Sequence, residues 1–179
     1  MDSINKNQPE DNLKNLQGQE AAQKMKELAQ SAESCFFCTN ITSGQPITSR
    51  PMAVLKTDDG GSFWFLTSDD SHKVEELERD PLVQLFFQGS KYSDFLTVHG
   101  TARLSKDKAK IKELWNPMLK VWFTEGEEDP RITVLQVIPT GGYYWDNKHG
   151  NAIAFVKQAV GAAIGVTLDD SVEGKLDVK

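Results

Sequence analysis

The sequence predicts a mainly β protein of the α+β class, in which an antiparallel sheet forms a closed or partly closed barrel with helices packed outside it. About seven strand-like runs follow one another with hairpin connections, and helical patterns are few. Apolar or small residues recur at every second position from Leu96 to Leu104, as in a strand with one face in the core. A chain of 179 residues is long enough for one domain with a proper core.

The chain divides into four segments. Residues 1–12 are polar, and we expect them to be flexible. Residues 13–33 carry an apolar stripe that predicts an N-terminal helix. We expect the barrel domain over residues 34–148 and a C-terminal helix and tail over residues 149–179. Within that last segment the helical pattern is clearest over residues 151–163, and the acidic remainder is expected to fray.

Seven runs of strand-forming residues make up the predicted barrel. In chain order they are CFFCTNI, SRPMAVLKT, SFWFLT, PLVQLFFQG, DFLTVHGTARLS, ITVLQVIP and GYYWD, the last two joined across residues 140–142. Asp58-Asp59-Gly60-Gly61 predicts a hairpin turn between the second run and the third, because glycine accepts positive φ. Helices are predicted over residues 71–79 and 106–122, the second broken at Asn116-Pro117.

Composition and charge limit the classes of partner and the cellular compartment that we expect for this protein. A net charge of −6 argues against nonspecific nucleic-acid binding, which needs a basic face. No apolar run approaches the roughly 20 residues that span a bilayer, so no membrane segment is expected. The N-terminal sequence has no apolar secretory core, and the chain has only two cysteines. We therefore expect a cytoplasmic protein.

The two cysteines form a CxxC motif, which can indicate redox chemistry or half of a zinc site. Cys35 and Cys38 lie in a strand-like run, where positions i and i+3 point to opposite faces. His72, His99 and His149 lack metal-ligand spacing. The motif is therefore interpreted as two buried strand thiols, and no metal site is predicted.

The segment 63–77, FWFLTSDDSHKVEEL, is a strand-to-helix corner rich in polar residues. Ser68 and Ser71 are good N-cap residues for the helix that follows. Capping alone does not account for His72 and Lys73 in the first turn, because cations there oppose the helix dipole. A negative ligand reverses that sign, and free N–H groups, hydroxyls and a lysine together favour a phosphate.

The preceding strand adds a second cation to this corner. Pairing across the hairpin turn is expected to bring Ser49–Arg50 close to Thr67–Ser68. Arg50, Lys73 and a helix N-terminus then converge. From the pattern alone, a phosphate-bearing ligand and a merely well-capped helix both remain open.

The order of these motifs is familiar. SRPMAVLK, FWFLTSDDSHKVEEL, DPLVQLFF and FLTVHGTARLSKD, in that order, resemble the pyridoxamine 5′-phosphate oxidase-like flavin-binding split barrels. ELWNPMLKVWFTEGEEDPRITVLQVIPTGGYYWD is similar to the general stress protein subgroup of that superfamily. The resemblance covers about residues 30–147. It implies an antiparallel split barrel, usually a homodimer, with FMN at the interface and FAD as a possible alternative.

The resemblance also implies cofactor-binding residues, with Arg50 and Lys73 near the phosphate. Trp145 is expected to border the flavin, and Trp122 either packs in the core or walls the ring. His72 stands where the family has arginine. The full set is Arg50, Met52, Thr67, Ser68, Ser71, His72, Lys73, Trp122 and Trp145.

Two departures limit what the resemblance implies about activity. After Trp145 the chain reads DNKHGNAIAF, without the late arginine that grips substrate in the true oxidases, and Phe95 replaces a flavin-holding glutamine. Both put vitamin B6 oxidation in doubt, and the catalytic residues are unknown. Three functions stay open: a flavin-dependent oxidoreductase of unknown substrate, a flavin-binding stress protein without turnover, and a deazaflavin- or haem-related split-barrel protein.

Overall fold

The computed structural model describes residues 12–91, 93–147 and 171–179. No helix within these ranges is long and apolar enough to span a bilayer. The elements in chain order are β1 (Leu16–Gln17), α1 (Gly18–Ala32), β2 (Ser34–Thr39), β3 (Thr48–Ala53), β4 (Lys56–Thr57), β5 (Phe63–Ser68), α2 (His72–Arg79), β6 (Leu82–Gln88), β7 (Phe95–Ser105), α3 (Lys108–Leu114), two 3₁₀ helices (Pro117–Val121 and Gly126–Glu128), β8 (Ile132–Asn147) and β9 (Ser171–Asp177).

The strands form one sheet that curls without closing. Its order is β1-β9-β8-β7-β6-β2-β3, and β5 pairs with both β8 and β4. All these pairings are antiparallel except that of β1 with β9. Among the described strands, β3 pairs only with β2, so the sheet stays split between β3 and β5. The predicted antiparallel split barrel with peripheral helices is confirmed.

The predicted long hairpin across Asp58–Gly61 is wrong beyond its first residues. The turn itself forms, with the Gly61 amide donating to the Asp58 carbonyl at 3.0 Å. Of the described residues on the N-terminal side of the turn, only Lys56–Thr57 pairs with β5 in a strand ladder, whereas β3 diverges and pairs with β2. Arg50 lies opposite Phe37 in that pairing. It therefore reaches the end of β5 across the split and not along a strand ladder.

Strand β8 is continuous over 16 residues, although two strands were predicted around residues 140–142. The glycines there do not form a turn, and Gly142 allows close approach to β7. A Cβ on Gly142 would stand 2.3 Å from the Thr97 carbonyl oxygen, so only glycine fits. The pairing of β7 with β8 shifts its register between His99 and Gly100 and then continues.

The C-terminal residues form β9 and are not the frayed tail that was expected. Strand β9 pairs with residues 142–147 of β8 and, in parallel, with β1. Leu176 is 2% exposed and belongs to the main core, the larger of the two clusters of buried apolar residues. This pairing gives hydrogen-bond partners to backbone N–H and C=O groups of β8 that would otherwise lie on an unpaired strand edge. The predicted helix over residues 151–163 lies outside the described residues, as do residues 1–11 of the segment 1–12 that was predicted to be flexible.

Helix α1 begins at Gly18, later than the predicted start at residue 13, because Leu13 and β1 join β9 instead. Its buried face contributes Met25 and Leu28 to the main core inside the barrel. A second core lies between β5, β8 and the helical insert, which comprises α3 and the two 3₁₀ helices (residues 108–128). It contains Ile111, Leu114, Leu119, Phe123, Ile132 and Val134.

The predicted break in the insert is confirmed. Helix α3 ends at Leu114, and Pro117 opens a 3₁₀ helix that the Asn116 side chain caps through the Met118 amide at 3.1 Å. Trp115 packs against the second core with its ring 6.5 Å from that of Phe123.

Cys35 and Cys38 are free thiols in β2, 5% and 1% exposed. Both are buried, as the interpretation of the CxxC motif predicted. Cys35 belongs to the main core, and the three-residue spacing directs Cys38 to the other face of the strand.

We expect Gly142→Ala to lower the free energy of unfolding by about 1–3 kcal/mol, because the added Cβ would overlap backbone that cannot move away. Gly60→Ala is the matched control, since its Cβ would meet only the Asp58 side chain at 3.4 Å. Urea unfolding of both variants measures the difference. Equal stabilities would contradict the close approach of β7 and β8 at this position.

Candidate ligand-binding site

A cavity of about 440 Å³ lies at the split between β3 and β5. This volume falls within the range of about 300–1,000 Å³ that is usual for ligand pockets. The cavity brings together seven of the nine residues that the sequence singles out: Arg50, Met52, Thr67, Ser68, Ser71, Lys73 and Trp122. Their role in binding a cofactor stays a prediction.

Lys73 and two hydroxyls form the polar end of the cavity. The Lys73 Nζ donates to Thr67 Oγ1 and lies 3.4 Å from Ser71 Oγ. The two hydroxyl oxygens are also 3.4 Å apart. One ammonium and two hydroxyls therefore meet where β5 ends and α2 begins.

The start of α2 has no side-chain cap. Ser71 is the N-cap residue by its backbone, with φ −82° and ψ 142°, but its hydroxyl accepts no hydrogen bond from the helix. Ser68 donates its hydroxyl to Asp70 Oδ1 at 2.5 Å instead. Capping therefore does not account for these hydroxyls, and that of Ser71 remains in the cavity beside Lys73.

The environment of Lys73 favours a negative ligand. Burial lowers the pKa of this ammonium below its ordinary value, and the nearby Arg50 charge acts in the same direction. Among the described residues no carboxylate lies within ion-pair distance of its Nζ. The first turn of a helix is also an unfavourable place for a cation. A bound anion would offset the cost of burying the ammonium, its repulsion by Arg50 and its unfavourable position at the helix start.

Arg50 supplies a second cation with a spare donor. Its Nη2 donates to Glu76 Oε2 at 2.6 Å. Its Nη1 is buried and has no hydrogen-bond partner within the described ranges. A buried charged donor without an acceptor costs about 1–3 kcal/mol or more, so this nitrogen gains from an acceptor brought by a ligand.

The other walls of the cavity are mostly apolar. Sequence reasoning singled out Met52 and Trp122 but missed the remaining lining residues, among them Leu55, Leu66, Asp70, Leu119, Phe123 and Arg131. Trp122 is 65% exposed and stands at the rim, outside the second core. The stretch that resembles the general stress proteins contains Trp122, Phe123 and Arg131. That resemblance could therefore have pointed to these residues as part of the cavity wall.

Arg131 is already paired. Its guanidinium donates to both oxygens of the buried Asp129 carboxylate, with Nη2–Oδ2 at 2.8 Å, and also to the Trp122 carbonyl. These bonds lower the pKa of Asp129 to about 2. Arg131 therefore fastens the wall that carries Trp122, and Lys73 and Arg50 remain the cations with capacity for a ligand.

His72 and Trp145 do not line this cavity. His72 is exposed on the first turn of α2. Trp145 lies opposite Phe95 near the far end of β8, and both line a separate groove of about 520 Å³ together with Phe36 and Phe86. The groove and the cavity adjoin, because Pro51 lines both.

A family model described as pyridoxamine 5′-phosphate oxidase like matches residues 20–169. The chain belongs to this family. The resemblance that the motif order indicates is therefore confirmed, and the match includes the whole strand-to-helix corner.

Two curated relatives match parts of the chain. It is 33% identical over 107 residues to protein bli-3 of Neurospora crassa, a match covering 55% of this chain and 51% of that protein. It is 29% identical over 84 residues to general stress protein 26 of Bacillus subtilis, covering 45% and 59%. The chain thus spans between 51% and 59% of the length of the relatives it matches.

Among solved structures, the chain is similar to the general stress FMN/FAD binding protein of Xanthomonas citri. The TM-score is 0.58 and the identity 27%, and the match covers 69% of this chain and 86% of that one. This similarity supports the split-barrel fold and the link to general stress proteins.

We expect Lys73→Met to leave the protein equally stable or more stable when no ligand is present. The variant keeps most of the aliphatic stem and removes a poorly solvated charge from the start of a helix. The Lys73 pKa is lowered in the folded state, so its charge penalises folding below that pKa, and the penalty fades as pH rises through it.

Any stability difference between wild type and Lys73→Met should therefore be largest near neutral pH and shrink at alkaline pH. Urea unfolding across this range measures it, with Lys112→Met on the exposed side of α3 as the control. A clear loss of stability in Lys73→Met near pH 7 would mean that the ammonium stabilises the fold itself.

Proposed function

We propose that this protein binds FMN in the cavity at the β3–β5 split and has a flavin-dependent redox role with an unknown substrate. The observation that carries the proposal is the convergence of Lys73, Thr67 and Ser71 on an uncapped helix start. Hydroxyls, an ammonium and free helix N–H groups are the donors that a phosphate monoester uses.

The residues present fit FMN at both ends. Arg50 and Lys73 offer charge to the phosphate, and no acceptor among the described residues pairs with the buried Arg50 Nη1. The apolar walls, with Met52 and the exposed Trp122, suit a flat aromatic ring. The general stress FMN/FAD binding protein of Xanthomonas citri supports this cofactor class, and FAD is the alternative flavin.

A bound flavin supplies electron or hydride transfer, whereas the protein supplies binding, orientation and electrostatics. Lys73 and Arg50 hold the anionic end, and the second core fixes the wall that carries Trp122. A non-catalytic flavin-binding stress protein has the same binding residues, so turnover decides between the two roles. We place either role in the cytoplasm, in keeping with two buried, reduced thiols.

The test is the absorption spectrum of the purified protein, followed by chromatography of the flavin released on denaturation. NAD(P)H-dependent bleaching under anaerobic conditions would identify an oxidoreductase, and bound FMN without bleaching would favour the non-catalytic role. Pyridoxamine 5′-phosphate is the control substrate, because Phe95 and the missing late arginine argue against its oxidation. A protein that neither carries nor takes up flavin would overturn the proposal.

Lys73 is expected to discriminate FMN from riboflavin. Charge-assisted hydrogen bonds to a phosphate contribute about 1.5–3 kcal/mol each, so Lys73→Met should weaken FMN binding roughly ten- to a hundredfold. Riboflavin lacks the phosphate, and its affinity should change little. Quenching of flavin fluorescence measures both, with Lys112→Met as the control. An equal loss for the two flavins would assign Lys73 to the ring or to the fold.

We further propose a homodimer built on the groove that contains Trp145. Phe36, Phe86 and Trp145 are 59%, 36% and 42% exposed, and such a cluster of exposed aromatic residues marks an interaction surface. The groove adjoins the cavity at Pro51. A second copy on this face would bring protein to the open side of the flavin site.

Light scattering should therefore report a dimer at micromolar concentration, and Phe36→Glu should shift it toward monomer by placing a charge on the interface. Ile47→Glu is the control, since Ile47 is also exposed, at 50%, but does not line the groove. A dimer unaffected by Phe36→Glu would place the interface elsewhere, and a flavin-loaded monomeric wild type would refute the dimer.

A further inference from the structure

Glu76 joins three elements behind the phosphate end of the cavity. It follows Lys73 by three residues on α2, so both side chains lie on the same side of the helix. Its Oε2 accepts from Arg50 Nη2 on β3 at 2.6 Å and from Thr39 Oγ1 on β2 at 2.6 Å. Glu76 lies outside the cavity lining, hydrogen-bonds to the lining residue Arg50, and its charge acts to raise the pKa of Lys73.

The pair differs from an ordinary surface ion pair. The side chains of Arg50 and Glu76 are only 21% and 15% exposed. Burial acts to raise the pKa of Glu76, but the hydrogen bonds from Thr39 and Arg50 outweigh it, and the pKa lies below its ordinary value. Glu76 is therefore a carboxylate at neutral pH and makes short, charge-assisted hydrogen bonds.

The hydrogen bonds of Arg50 are divided between its two terminal nitrogens. Nη2 is held by Glu76, whereas Nη1 is buried without a partner among the residues the structure describes. An arginine side chain loses rotamer entropy when it is fixed, and a ligand that had to order it alone would bind more weakly. Glu76 holds Nη2 in place before a ligand arrives, which leaves little more than a rotation about that contact to be ordered.

We propose that Glu76 is a positioning residue of the flavin phosphate site, which orders the Arg50 guanidinium through Nη2 so that Nη1 can donate to the phosphate. This rests on the proposed function. Nη1 is shielded from solvent, so we expect a small rotation of the guanidinium about the Nη2–Glu76 contact when the phosphate binds.

The sign of one substitution separates positioning from plain electrostatics. Glu76→Gln keeps the shape and one acceptor oxygen but removes the negative charge. If Glu76 acted only through its charge, removing a carboxylate near the site would tighten the binding of an anion. If it positions Arg50, the loosened guanidinium makes the binding of FMN weaker.

The experiment is a titration of FMN and riboflavin against wild type, Glu76→Gln, Arg50→Met and the double variant. We expect Glu76→Gln to weaken FMN about tenfold, equivalent to about 1.4 kcal/mol, and to leave riboflavin unchanged. In the Arg50→Met background the same substitution should cause no further loss. Glu75→Gln is the matched control, because it removes the same charge from the exposed side of the same helix.

Thr39→Val provides a second variant that leaves both charges in place. It removes the hydroxyl that steadies Glu76, and we expect a smaller loss of FMN affinity in the same direction. Urea unfolding of each variant checks that it is folded. Tighter FMN binding by Glu76→Gln, an equal loss for riboflavin, or a loss that persists without Arg50 would overturn the positioning role.

A titration with pyrophosphate distinguishes an error in the role assigned to Glu76 from an error in the choice of FMN as the ligand. A wild type that binds pyrophosphate but not FMN refutes the flavin proposal, and the wild type and the same three variants then decide the role of Glu76 with pyrophosphate as ligand. A wild type that binds neither overturns both.

Discussion

Strand β8 has a hydrogen-bonding edge on each side along its 16 residues, and the division of those edges determines the architecture. Strand β7 fills one edge, while β5 and β9 share the other. One edge of β5 pairs with β8, and among the described strands the other edge pairs only with the two residues of β4, so the barrel does not close between β5 and β3. The open edge of β3 therefore faces the end of β5, and the cavity occupies that opening. A fully closed ladder would leave no site there.

Among the described strands, β3 and β5 do not pair across the opening between them. Side chains of helix α2 connect the two strands instead. The helix starts directly after β5, directs Lys73 to the cavity and ties Glu76 to Arg50 on β3. The eight residues of α2 thus link β3 to β5 and contribute positive charge to the cavity. Lys73 opposes the helix dipole and lacks a carboxylate partner within the described residues, so local stability is given up at the position where an anion would restore it.

Local patterns predicted most of the strands, the short α2 and the break before Pro117, because each depends on residues close in sequence. Long-range pairing was not predictable in the same way. Strand β9 has only Val172 and Leu176 as apolar side chains, and its partners lie far away in the chain. Gly142 reads locally as a turn, yet its role is set by the Thr97 carbonyl across the ladder. Likewise Arg50 was correctly placed near the corner, but through a hairpin that does not form and without Glu76 as its partner.

The placement of the two cysteines affects how the protein withstands oxidants. Oxidation of a thiol by peroxide requires the thiolate, and burial, with a smaller contribution from Cys38, raises the pKa of Cys35 to about 12. Cys35 and Cys38 are the only cysteines in the chain, and their opposed directions across β2 prevent a disulfide between them without remodelling the strand. Reduced flavins generate peroxide when they react with oxygen, so the chemistry proposed for the cavity would place a premium on thiols that are buried and protonated in this way.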